Sequence, residues 1–159
     1  MSELSRLIEE AQNDPAVLST IDIEELLESA EDFDEDALIG KTVADFAKET
    51  YHVLYDLMGT DAESVEAIQD LCVKLKDYRY IDRMCDLRLG RNIKWIDKTN
   101  GKIAKGGNLV KIEIFDEKTS ALCRNYRFFS RCVLDNCLVF QKFTMEEQLL
   151  LILQSNTSD

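Results

Sequence analysis

Residues 101–108 read GKIAKGGN, and two glycines five positions apart with lysines between them are the ingredients of a phosphate loop. Such a loop, G-x-x-x-x-G-K-[ST], wraps phosphates in backbone N–H groups and reaches the outer ones with its lysine. Gly101 and Gly106 have the spacing, but Gly107 stands at the lysine position and Asn108 at the Ser/Thr position. The run that follows, NLVKIEIF, has strand character where the loop requires a helix. The glycines are therefore expected to turn strands. Asn100-Gly101 is a hairpin signal that puts both central residues at positive φ, and Gly106-Gly107-Asn108 turns the next strand pair.

Other residues with chemical potential meet similar objections. Asp32, Asp34 and Asp36 have calcium-loop spacing, but Ala37 replaces the glycine and Val43 the twelfth-position glutamate that such a loop uses, leaving a solvated acidic connector. His52 is the only histidine, and on a helical wheel it lies opposite the apolar side of its segment, so it is expected to be exposed. Cys123, Cys132 and Cys137 are spaced C-x8-C-x4-C. Three thiolates meeting across strands, with Cys85, are one reading and would hold zinc; closely paired ligands are the usual zinc signature, so packing as small buried hydrophobes is preferred. No catalytic, cofactor-binding or metal-binding residue is assigned, no cofactor is expected, and the chain is not expected to be an enzyme.

Basic and aromatic residues interleave between Lys74 and Arg131. From them Arg79, Arg83, Arg88, Arg91, Lys94, Trp95, Arg124 and Arg127 form a candidate interaction surface. Phosphate contacts and stacking would suit nucleic acid. The alternative is that these residues face an acidic partner or the chain's own acidic half, with Trp95 in the core.

The elements that must position these groups change in kind along the chain. Asp14-Pro15, and Thr20 or Asp22, open early helices. An acidic connector ends at Gly40. Thr42, with Asp45 three residues on, caps a helix carrying Val43, Phe46, Ala47, Thr50, Leu54 and Leu57 inward, and Gly59 ends it. Asp61 caps the next, with Val65, Ile68, Leu71, Cys72 and Leu75 inward. After Leu89 the period becomes that of strands: RNIKWID, LVKIEIF, ALCRNYRFF and CLVFQKF, separated by KTNG, KGGN, DEKTS and LDN. Thr144 with Glu147 opens a short closing helix. The fold class is α+β: N-terminal acidic helices in residues 1–40, a helical part of the core in 41–89, and an antiparallel β-sheet or open barrel with a C-terminal helix in 90–159.

The charge supports two surfaces. Residues 1–70 carry 20 Asp/Glu against 3 Lys/Arg, and residues 71–159 carry 11 against 16. The whole chain is at −12, which argues against unaided binding to nucleic acid. No apolar run approaches the roughly 20 residues of a membrane span, and the N-terminal sequence lacks signal-peptide form, so an intracellular location and reduced cysteines are expected.

Residues 76–152 carry YRYID (78–82), GRNIKWI (90–96), Gly106-Gly107, CRN (123–125), Phe128-Phe129 and DNCLVFQKFTMEEQLLL (135–151). In these pieces the chain resembles a group of small uncharacterised proteins of the nucleocytoplasmic large DNA viruses. The resemblance brings no catalytic residues. It implies a viral setting, in the host cell or the virion, and hence a non-enzymatic structural or interaction protein such as a minor capsid-associated component, with viral structural proteins as partners. The alternative is a nucleic-acid-associated or transcription-related viral factor using the basic β module.

Overall fold

The computed structural model describes residues 38–59 and 61–157. The early helices and the Asp32–Asp34–Asp36 connector expected from the sequence lie outside the described residues. The chain divides into two compact units, residues 1–46 with 143–159 and residues 47–142.

In the first unit, helix α3 (Met145–Thr157) starts at a reciprocal capping box. The Thr144 N–H donates to Glu147 Oε1 (2.8 Å) and the Glu147 N–H to Thr144 Oγ1 (3.1 Å). Each satisfies a donor that the helix start would leave orphaned. Leu149, Leu150, Leu151 and Leu153 are buried, as are Leu38, Phe46 and Phe143. The Phe46 and Phe143 rings meet edge to face, 5.2 Å between centroids. Gln154 ties the 38–41 segment to α3: its Nε2 donates to the carbonyls of Leu38 (2.9 Å) and Lys41 (2.6 Å), and its Oε1 accepts from the Gly40 N–H (2.9 Å).

Helix α1 (Val43–Met58) begins with the expected Thr42–Asp45 box. It is followed by α2 (Ala62–Lys74), capped by Asp61, whose carboxylate accepts from the Ser64 N–H at 2.7 Å. In the second unit Leu54, Ile68, Leu71 and Leu75 of this helical pair pack with Tyr78, Ile96, Leu138 and Phe140 of the sheet. Two residues expected inward on α1, Val43 and Ala47, are exposed instead. The buried positions are Phe46, Thr50 and Leu54, a narrower stripe than the sequence pattern suggests. His52 is exposed, as its wheel position requires.

The sheet has six strands: β1 (Tyr78–Ile81), β2 (Asn92–Asp97), β3 (Gly107–Phe115), β4 (Lys118–Asn125), β5 (Phe128–Val133) and β6 (Cys137–Lys142). All the pairings are antiparallel, in the order β1-β6-β2-β3-β4-β5. The fold is therefore mixed α+β. That order forces the sheet to curl. Four strand spacings separate β5 from β6, about 19 Å if the sheet were flat. The connection is only the 3-10 turn Leu134–Asn136, and the four Cα steps from Val133 to Cys137 reach at most about 14 Å. A β-bulge between Leu109 and Lys111 supplies local bend. The curl encloses a core of Ile81, Ile93, Trp95, Leu109, Ala121, Cys123, Cys132 and Val139, with Leu87 from the loop after β1. That loop is anchored by the buried Gln141, which accepts from the Arg88 N–H (2.8 Å) and donates to the Asp86 carbonyl (3.3 Å).

Two turn expectations need correction. Gly101 has φ +70°, but Asn100 does not have positive φ, so Asn100-Gly101 is not a two-residue hairpin. The chain reverses through a longer loop in which Asn100 Oδ1 accepts from the Lys102 N–H (2.8 Å) and Ile103 bridges to Ile96. ALCRNYRFF is not one strand: β4 ends at Asn125 and β5 starts at Phe128. Tyr126 takes φ +57° in the turn between them, a conformation its type does not announce.

Candidate functional site

The period of two decides which predicted residues share a face. Trp95 is 8% exposed and belongs to the core of the curled sheet. Lys94 points to the opposite, helix-covered face, its Nζ 5.0 Å from the centre of the Tyr78 ring. Arg79 is buried on β1, opposite Gln141. Arg91 Nη1 donates to the Lys142 carbonyl (3.1 Å). Arg83 and Arg88 lie in the exposed loop after β1, and Arg83 Nη2 is 3.4 Å from Cys85 Sγ. Arg124 and Arg127 are both exposed at the β4–β5 turn. The eight residues thus fall into a β1-side group, a pair split across the sheet, and a hairpin-end pair.

The hairpin-end pair adjoins the more distinctive feature. The Arg124 Nε donates to the Tyr126 carbonyl (2.9 Å), which holds the turn, and its guanidinium lies 5.9 Å from the Phe129 ring centre. Tyr126 is 88% exposed and Phe128 77%. With Trp95, Lys105, Gly106 and Ser130 they line an open pocket of ≈ 400 Å³. Among the described residues its lining includes three aromatic side chains and a lysine, and no Asp or Glu. A second cavity of ≈ 360 Å³ is lined by Asp82, Asp135 and Lys98 among others, so both signs of charge meet there. At the far end of the β3–β4 pair, Asp116 and Glu117 form a turn with both φ positive, and the preceding Ile114 (74%) and Phe115 (71%) are exposed.

The glycines are structural. Gly106 has φ +68°, and a Cβ there would overlap the Ile93 carbonyl; one on Gly107 would lie 2.6 Å from the Arg124 carbonyl oxygen. Both therefore let three strands approach where any side chain would hold them apart.

Cys123, Cys132 and Cys137 do converge in the core. Desolvation pushes the Cys123 thiol up to about 11 and raises Cys132 and Cys137 as well. At neutral pH these are protonated, unreactive thiols. Among the described residues no group of three or more His, Cys, Asp or Glu side chains is placed to hold a metal ion. On the outer face of β3–β5, Glu113 pairs with Lys111 (2.8 Å) and Arg131 (3.6 Å), so part of the basic charge is matched within the sheet.

Lys105 and Tyr126 belong to the interleaved basic and aromatic run but not to the eight residues selected from it, and Phe128 belongs to neither. Their joint position depends on β2, the 102–106 loop and the β4–β5 turn meeting, which no local spacing encodes. Among the described residues no helix is long and apolar enough to cross a membrane. No family model, no curated protein and no solved structure matches the chain.

Proposed function

We propose that this chain is a non-enzymatic interaction protein. In the viral setting that its sequence resemblance implies, it is a minor structural component that works in the host cell and is carried in the particle. The observation that supports this reading is the pair Ile114 and Phe115. Both are large, apolar and exposed at the end of a long strand pair closed by a well-formed turn. Such residues on an ordered scaffold mark contact surfaces, because leaving them in water favours association. Being adjacent on β3 they leave opposite faces of the hairpin end, so the partner suited to them is a protein with an apolar recess that receives the hairpin end itself, and viral structural proteins are the expected class. Quantitative mass spectrometry of purified particles tests the setting: the chain enriched with structural proteins is expected, and its absence from particles while abundant in cells would overturn a virion role.

A second reading, a nucleic-acid-associated or transcription-related factor, is favoured by one separate feature, the aromatic pocket lined by Lys105.

A further inference from the structure

We propose that the pocket between Trp95, Tyr126 and Phe128 is a binding site for single-stranded nucleic acid that takes one base between its aromatic side chains. The inference stands on this pocket alone and does not depend on the protein contact assigned to Ile114 and Phe115.

Four observations carry it. The pocket is ≈ 400 Å³ and open, within the range of roughly 300–1,000 Å³ typical of small-ligand sites. Its aromatic lining offers flat apolar surfaces, the partner that any base can stack on without sequence preference. The one charged side chain of the lining among the described residues is a cation, Lys105, and none of those lining residues is a carboxylate. A ligand that is planar, apolar on its faces and anionic along its length matches that combination. An uncharged aromatic anchor of a protein would use the rings but leave Lys105 without a counterpart.

The fourth observation is strain. Tyr126 holds φ +57°, a region that glycine and asparagine occupy far more readily than an aromatic residue. Its carbonyl is fixed by the Arg124 Nε. A glycine there would relax the turn, so the tyrosine is kept at a cost to the fold. Such outliers gather where a side chain is needed in a given place. Here the place is the pocket mouth, and Arg124 acts as a positioning residue for it.

The protein carries its own reporter, because Trp95 is the only tryptophan. The experiment titrates full-length protein with an oligothymidylate of about 12 nucleotides, within the span of known single-strand site sizes. It follows Trp95 emission and the anisotropy of a labelled strand between about 50 and 200 mM salt. Saturable quenching is expected, carried by stacking and the local cation Lys105 against the opposing net charge of −12, with affinity falling as salt rises. Tyr126→Gly and Phe128→Ser are each expected to weaken binding about tenfold or more. Lys105→Gln should reduce the salt slope by about one. All three positions are outside the buried core, and Tyr126→Gly should melt at the same or a higher temperature, so its loss of binding would not be a loss of fold.

Three results would overturn the proposal. The first is no saturable change in Trp95 emission at any accessible strand concentration. The second is binding that Tyr126→Gly and Phe128→Ser leave unchanged. The third is equal binding by thymidine monophosphate or by a neutral phenylalanine peptide, which would make the site one for a free nucleotide or for a protein anchor.

Discussion

Replacing Gly106 by alanine should destabilise this protein far more than the same change at Gly101, although both glycines have nearly the same φ, +68° and +70°. At Gly101 nothing lies within 4 Å of the added Cβ, so the cost is the left-handed conformation alone, about 1–2 kcal/mol. At Gly106 the Cβ would overlap the Ile93 carbonyl oxygen and come within 2.8 Å of its carbon. Those are backbone atoms, which no rotamer change can move. Strands β2 and β3 must separate, and their ladder is short: Asn92↔Asn108 and Ile93↔Gly107. Losing the hydrogen bonds of these two positions at about 0.5–1.5 kcal/mol each, beyond the conformational cost of about 1–2 kcal/mol, gives roughly 2–5 kcal/mol. Against a typical total of about 5–15 kcal/mol, Gly106→Ala is expected to be marginal or unfolded. Urea denaturation of both variants reads this as a lower midpoint at unchanged slope. Equal midpoints for the two variants would refute the argument that Gly106 is there for backbone approach.

Three further predictions concern the helices and the thiols. Thr144→Ala, which breaks the capping box of α3, should cost about 1–2 kcal/mol, and Thr42→Ala about 0.5–1 kcal/mol, because the Thr42–Asp45 box is exposed while Glu147 is buried; a melting series would show it as a larger shift for Thr144. Cys85 is the one exposed cysteine, so a thiol reagent at pH 8 should modify about one group per native chain and five after unfolding. The Cys123 thiol is raised from 9.0 to about 11 in the folded state, so its contribution to stability is present in full below pH 9 and is lost as pH rises through about 11. Stability that rises across that window would contradict the burial of these thiols.

Features that depend on a few neighbouring residues were legible in the sequence. The Thr42–Asp45 and Thr144–Glu147 boxes, the Asp61 cap and the positive φ of Gly59 all follow from local chemistry. So did the strand that rules out a phosphate loop after Gly106. The sheet order was not legible. The last strand, β6, inserts between β1 and β2, and only the completed sheet shows why Gln141 is buried or why Gly106 must be bare. The β4–β5 turn was missed because Tyr126 adopts a conformation whose usual residues are Gly and Asn, so RNYRFF reads as continuous strand. That omission hid the pocket. The alternation of faces was available all along: Lys94 and Trp95 are adjacent, so they cannot serve one surface of the sheet. Arg79 looked like a surface cation, and its burial on β1 follows from tertiary structure alone.

The central claim is that Ile114 and Phe115 form a contact with a protein partner. The most direct test replaces Phe115 with a photo-crosslinking phenylalanine derivative in the full-length chain, expressed in the infected cell that the proposed viral setting requires, with the same probe at the exposed His52 as control. The account predicts a crosslink to one defined viral structural protein from position 115, lost with Ile114→Glu and absent from position 52. Crosslinks of equal yield from both positions, or none from 115 while the chain is folded and packaged, would contradict it.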